Sequence, residues 1–277
     1  MLLADRDVAI AAAEAGAAVV RSRYGASLAR LEKAQGDFAT AADIEAETAI
    51  LNVLRSALPG DAVLAEESGH TGPAVADRTW LVDPLCGTVN YAARTALVAV
   101  NVALRNRSEV TVAVSADPFA GEVFWTEGIG AHVRRGGVDE LLAPSAESGL
   151  VEANLDPPFP NSPAFRVVEL LADPFFADRF RPRVISTTLA VAWVAAGRRA
   201  AYVTDGDVTN SVHFASGIAL CRAAGCVVTG LQGQPLQTGA GGLIAAADRE
   251  THTALLTLIG RRFPLKRSGR DVGFLAR

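Results

Sequence analysis

Apolar residues recur at helical spacing over residues 4–24 and again over 40–57, so the chain opens with two amphipathic helices. Thr40 stands as N-cap of the second, and Glu47 lies on its face. The pattern then shortens to β-rich runs at Trp80–Asp83, Leu97–Leu104, Glu109–Ser115 and Glu122–Thr126. Asn106 and the run Pro118-Phe119-Ala120-Gly121 punctuate them. Consecutive strands with short connections make an antiparallel meander. Beyond residue 145 strands and helices alternate: strands at Gly149–Ala153, Arg183–Ile185, Ala200–Thr204, Val227–Thr229 and Gly242–Ala246, with helices at Ala164–Leu171, Thr188–Gly197, Ser211–Ala224 and Arg249–Arg261. The fold class is therefore α/β, an α+β half over residues 1–145 followed by an α/β half over 146–277.

Half of the 277 residues are apolar, enough for a large core in one unit or two closely packed halves. The net charge of −4 is interspersed, with no basic stripe of interleaved aromatics, so nucleic acid is not expected as a partner. The charged, Ala-rich N-terminus reads as neither signal peptide nor membrane span. Cys86, Cys221 and Cys226 form no disulfide framework, which points to a reducing cytoplasm. Cys221 and Cys226 read as core; His70, His132 and His252 read as surface or loop residues. The Pro/Phe-rich stretches Asp156–Phe165 and Asp173–Phe180 read as loop packing, with an apolar cleft as the alternative.

The chemistry concentrates in Trp80-Leu81-Val82-Asp83-Pro84-Leu85-Cys86-Gly87-Thr88-Val89-Asn90-Tyr91. This segment resembles the metal-binding signature Asp-Pro-(Ile/Leu)-Asp-Gly-Thr-x-Asn-Phe of the inositol monophosphatase family. Lys33 through Asp43, Ala65-Glu66-Glu67-Ser68-Gly69, Ala113 to Phe119 with Gly128 to Ala131, Ala195 to Tyr202, and Val212 to Gly217 resemble its other motifs in order. The resemblance spans nearly the whole chain and implies that family's layered sandwich. It also implies where the chain departs. Three family carboxylates that converge on a second Mg²⁺ correspond here to Asp83, Cys86 and His213, and Ala200 replaces a further Asp. Mg²⁺ is a hard ion that takes oxygen ligands, so a thiol and an imidazole serve it poorly.

A Cys and a His meeting at one point is the pairing of nucleophilic catalysis. A carboxylate beside the thiol would raise its pKa, so an imidazolium is required, and His213 is placed by the resemblance to supply it. A second carboxylate would hold the imidazole. If Trp80–Asp83 runs towards the site, the strand ending at Asp117 returns to the same rim; Asp117 is then the leading candidate to orient His213, with Asp83 as rival and a plain turn role as the alternative. Gly87 and Thr88 offer backbone N–H groups for an oxyanion.

A Cys and a His on this frame also resemble the Dieckmann cyclases of bacterial tetramic acid and pyridone biosynthesis (tirandamycin, nocamycin and streptolydigin type). That resemblance implies a cysteine-thioester cyclase releasing a β-ketoacyl-aminoacyl chain as a heterocycle in natural-product biosynthesis. Its partner would be an acyl or peptidyl carrier protein, with no membrane, a homodimer in keeping with the family, and no cofactor beyond a vestigial Mg²⁺ site at Glu66, Asp83 and Leu85. The alternatives are a Mg²⁺-dependent inositol or sugar phosphatase with a degenerate second metal site, a Zn²⁺ hydrolase using Asp83, Cys86 and His213, and a non-catalytic pseudophosphatase.

Overall fold

The computed structural model describes residues 4–26, 30–34, 37–155, 165–236, 238 and 241–262. Helix α1 (Asp5–Arg23) carries Asp5 and Asp7 in its first turn and Arg21 and Arg23 in its last, each sign placed where the helix dipole favours it. After the hairpin β1 (Arg30–Ala34) and β2 (Asp37–Thr40), helix α2 (Ala41–Ala57) starts from a capping box, in which Thr40 and Asp43 satisfy each other's backbone. The two helices lie side by side, burying Val8, Ala12, Ala46, Ile50 and Leu54.

They cover one face of an eight-stranded sheet. Its strands are β3 (Ala62–Ala65), β4 (Gly69–Thr71), β5 (Arg78–Cys86), and, after the short helix α3 (Thr88–Ala92), β6 (Ala99–Asn106), β7 (Glu109–Asp117), β8 (Glu122–Thr126), β9 (His132–Arg135) and β10 (Val138–Leu141). The order is β10-β9-β8-β7-β6-β5-β3-β4; the expected meander runs antiparallel from β5 to β8 and continues through the unexpected strands β9 and β10, and β3 joins β5 in parallel.

The second half begins with β11 (Leu150–Asn154), α4 (Val168–Leu171), α5 (Pro174–Arg179) and β12 (Arg181–Arg183). It continues through α6 (Leu189–Ala195), β13 (Ala201–Thr204), α7 (Ala215–Ala224), β14 (Val227–Thr229), β15 (Leu243–Ala246) and α8 (Arg249–Gly260). Its five-stranded sheet has the order β12-β11-β13-β15-β14. Helices α6 and α7 pack on each other between the two sheets, while α4, α5 and α8 cover the outer face of the smaller one. The result is a layered α/β sandwich with the arrangement helices, sheet, helices, sheet, helices.

Several expectations shift. His213 lies in the turn just ahead of α7, not inside a helix begun at Ser211. His252 is buried in α8 and shares a 2.8 Å hydrogen bond with the Thr229 hydroxyl, and His132 stacks on Trp125, so neither is a free surface histidine. Cys221 is core, as expected. The second Pro/Phe-rich stretch forms helix α5 instead of a loop, and its Phe176 and Phe180 pack into the core beneath the outer face of the smaller sheet; residues 156–164 of the first stretch lie outside the described residues. No helix among the described residues is long and apolar enough to cross a membrane.

Candidate active site

The site forms where β5 leaves the sheet. Asp83 pairs with Asn101 across the strand, and Cys86 with Ala99, so three steps along β5 match two along β6. That extra residue is a bulge, and Pro84 sits inside it, where a missing N–H costs no ladder bond. In a regular strand Asp83 and Cys86, three apart, would point to opposite faces. The bulge puts both opposite residues of one β6 face, the face that looks towards α6 and α7. Gly87 follows with φ at +106°, and a Cβ there would meet the Leu97 carbonyl at 3.0 Å, so glycine is required at the turn into α3.

From the other half, the turn before α7 delivers His213. Its Nδ1 lies 2.9 Å from Asp83 Oδ2, and Asp83 is fully buried. Asn101 Nδ2 donates to the same oxygen at 3.2 Å and to Thr188 Oγ1 at 2.9 Å. The Thr188 N–H donates to Cys86 Sγ at 3.4 Å. One ligand atom from each of Asp83, Cys86 and His213 lies within 4.8 Å of the others. Burial alone would raise the Asp83 pKa, but the facing imidazole outweighs it and holds the carboxyl below its ordinary value. Packed surroundings would lower the His213 pKa, yet the Asp83 charge and hydrogen bond carry it well above the ordinary value. The Cys86 thiol is pushed up, first by burial and then by Asp83.

Glu66 comes from the loop after β3. Buried Glu47 on α2 shapes that loop by accepting from the Glu67 N–H at 2.7 Å and the Ser68 N–H at 2.9 Å. Lys33 Nζ lies 2.9 Å from Glu66 Oε1. The other oxygen, Glu66 Oε2, and Asp83 Oδ1 are both buried without a hydrogen-bond partner. Burial and the Asp83 charge push the Glu66 pKa up to about 8, and Glu66 bonds to Asp83 only when it carries a proton. Two neighbouring buried carboxylates with unpartnered oxygens require a proton or a cation to offset their charge. The two orphaned oxygens are hard donors, so this first position fits a divalent cation, with Glu66 and Asp83 as the side chains that would hold it. Beside it, Thr88 Oγ1 lies 3.1 Å from Asp43 Oδ1 and 3.2 Å from the Leu85 carbonyl.

The structure brings Asp83, Cys86, His213, Glu66, Gly87 and Thr88 together. Asp117 ends β7 on the expected rim, but its carboxylate accepts from the Phe119 and Ala120 N–H groups, both at 2.9 Å, and so closes its own turn. Asp83 is the residue that holds His213. Sequence reasoning missed Asn101 and Thr188, which orient Asp83 and the thiol, and the pairing of Asp43 with Thr88. The regular β5–β6 ladder aligns Asn101 with Asp83, a long-range register that the sequence does not state, and the bulge beyond Asp83, which Pro84 alone signals, then brings Cys86 opposite Ala99.

Buried carboxylates gathered where β5 leaves the sheet of this layered sandwich define a known class, and the chain belongs to the inositol monophosphatase family, whose model matches residues 3–262. It is 32% identical over 233 residues to an inositol-1-monophosphatase of Caulobacter vibrioides, covering 81% of this chain and 88% of that protein. It is 30% identical to the Nus factor SuhB of Escherichia coli over 82% of this chain and 84% of the relative. The crystal structure of extragenic suppressor protein SuhB from Bartonella henselae superposes with a TM-score of 0.80 at 26% identity, covering 91% of this chain and 97% of that one.

These relatives overturn the cyclase expectation. They are named as inositol-1-monophosphatase and SuhB, so a carbon–carbon bond-forming cyclase making tetramic acids for polyketide antibiotics, and the expectation that the chain is no phosphatase, give way to a phosphatase frame. The geometry supplies a physical reason: Asp83 stands beside the thiol and raises its pKa, which disfavours the thiolate that acyl transfer needs. The carrier-protein partner falls with the cyclase, and so does the exclusion of nucleic acid, since several of the relatives are Nus factors by name.

Proposed function

We propose that this chain is a cation-dependent phosphomonoesterase acting on a small sugar or cyclitol phosphate. The observation that carries the reading is the pair of buried, unpartnered carboxylate oxygens, Glu66 Oε2 and Asp83 Oδ1, in a family whose relatives include an inositol-1-monophosphatase. A divalent cation bound there would supply positive charge to the transferring phosphoryl group, the main requirement of phosphoryl transfer.

The chain's own residues supply orientation. Asp43 is buried, which raises its pKa, and it accepts from the Thr88 hydroxyl. With its proton directed to Asp43, Thr88 Oγ1 keeps a lone pair to accept a hydrogen from a water and fix that water's attitude. Gly87 and Thr88 open α3, whose first N–H groups have no partner inside the helix and suit the oxygens of a phosphate. Lys33 holds Glu66 by one oxygen and leaves the other turned to the cation position.

Release of inorganic phosphate from inositol and sugar monophosphates, with divalent cations supplied singly, tests this reading. Glu66→Gln and Thr88→Ala are each expected to lower turnover by on the order of 10²-fold. Failure to release phosphate above the uncatalysed rate with any cation and any member of the panel would leave a binding protein on a phosphatase frame.

A further inference from the structure

The point on which Asp83, Cys86 and His213 converge does not fit Mg²⁺, because a thiol and an imidazole make two of its three donors. Among the described residues, Asp83, Cys86 and His213 are the one group of three whose ligand atoms converge within 4.8 Å. We propose that these three side chains form a zinc-selective centre with an open fourth position. The proposal takes the phosphomonoesterase reading as its frame.

Three observations carry it. The first is the donor set: one carboxylate oxygen, one sulfur and one imidazole nitrogen suit a borderline-soft ion in tetrahedral coordination and are poor ligands for Mg²⁺. Three protein ligands with a free position is the pattern of zinc sites that bind water or substrate.

The second is the shape of the cluster. In a nucleophilic relay the imidazole stands between carboxylate and nucleophile, and the carboxylate touches only the far side of the ring. Here an Asp83 oxygen is itself within 4.8 Å of the Cys86 sulfur, so the three groups surround a point instead of lying in a row. A carboxylate next to a thiol opposes thiolate formation, whereas a cation among them reverses that by holding the sulfur as thiolate.

The third is the surrounding shell. The Thr188 N–H donates to the sulfur, which supports a thiolate ligand. Asn101 donates to Asp83 Oδ2 and also to the Thr188 hydroxyl, fixing the carboxylate and the strand-facing end of α6 in one arrangement. Outer partners of this kind orient the ligands of a metal. On binding, the thiol proton and the second imidazole proton pass to solvent, and the ion takes the place of the hydrogen bond between His213 and Asp83.

The test uses the full chain, stripped with chelator and titrated with Co²⁺ as a spectroscopic stand-in for zinc. One equivalent is expected to give the thiolate-to-cobalt charge-transfer band and the intense visible bands of a tetrahedral site. Zn²⁺ should abolish both, and a large excess of Mg²⁺ should not. Cys86→Ser should remove the charge-transfer band while leaving far-ultraviolet circular dichroism unchanged, which separates the effect from misfolding and from Cys221 and Cys226. Asn101→Ala should weaken Co²⁺ binding by roughly 10- to 100-fold without removing the band. Restoring carboxylates in the Cys86→Asp, His213→Asp double variant should exchange zinc preference for Mg²⁺. A cobalt complex without a sulfur band, or a band that survives Cys86→Ser, overturns the proposal. Phosphate release with Mg²⁺ alone and no zinc binding would sink this centre and keep the phosphatase reading. Tight zinc binding without phosphate release would do the opposite.

Discussion

Glu122 joins two parts of the molecule through charge. From β8 it accepts from Arg198 Nη1 and Nη2, each at 2.6 Å, and from Arg135 Nε at 2.7 Å. Burial alone would raise its pKa, but the two guanidinium groups outweigh burial and hold the carboxyl below its ordinary value. A carboxyl with a depressed folded-state pKa stabilises the fold fully above its unfolded pKa, and that contribution is lost as pH falls through the folded value. Glu122→Gln should therefore cost about 1–2 kcal/mol at neutral pH, because both arginines are partly exposed and solvent screens them. Urea denaturation of both proteins at pH 7 and at about pH 3 checks this, with the gap expected to close at the acid end. An equal gap at both values would assign the effect to packing instead of charge. Asp83 and Asp117 show why charge is hard to place from sequence: both lie near the rim, and the choice between them depends on where each carboxylate's hydrogen bonds go.

At the scale of elements, close helix crossings depend on absent side chains. A Cβ on Gly217 of α7 would lie 2.7 Å from Val191 Cβ on α6, and a Cβ on Gly16 of α1 would lie 2.8 Å from Ile50 Cδ1 on α2. The first obstacle is fixed to the backbone, whereas the second is made of side-chain atoms beyond Cβ, Ile50 Cδ1 and Cγ1 with Val100 Cγ1 at 3.1 Å, which a change of rotamer can move. Alanine returns up to about 1 kcal/mol of helix propensity at either position. Gly217→Ala is expected to cost about 2–3 kcal/mol net, and Gly16→Ala about 1 kcal/mol or less. Thermal melts of both variants test the order, and a reversed order would mean that α6 and α7 are free to separate. The major elements were legible because their periods were clean: the 3.6-residue pattern of α1, α2 and α8, and the meander from β5 to β8. The hairpin β1–β2 and the short strands β3, β4, β9 and β10 were not, because runs such as Ala62–Ala65 are too short for either period to declare itself. The site was half legible. Cys86 and His213 stand out by type in an otherwise familiar motif, but their convergence with Asp83 depends on a one-residue bulge that binary patterning does not encode.

For the molecule as a whole, the middle helical layer decides how its halves relate. The meander sheet buries Trp80, Val82, Val100 and Val114 under α1 and α2, and its opposite face carries Leu81, Ala103, Ala113 and Phe124. That second face is covered by α6 and α7, which also pack against the smaller sheet through Tyr202, Leu243 and Ala245. A cut at residue 145 would leave the larger sheet with one face open. Each Leu or Phe uncovered there gives up roughly 1.5–3 kcal/mol of burial. A contiguous apolar face on an isolated sheet is also a site of association. The site divides in the same way, since Glu66, Asp83 and Cys86 come from one half and His213 and Thr188 from the other. The full chain is therefore expected to melt in one transition, with near- and far-ultraviolet circular dichroism coincident. The fragment 1–145 should bind a hydrophobic dye and sediment as aggregates. A monomeric fragment with a sharp melt of its own would show that α1, α2 and their sheet are self-sufficient. The second half would then be an added layer that brings His213 to a finished scaffold.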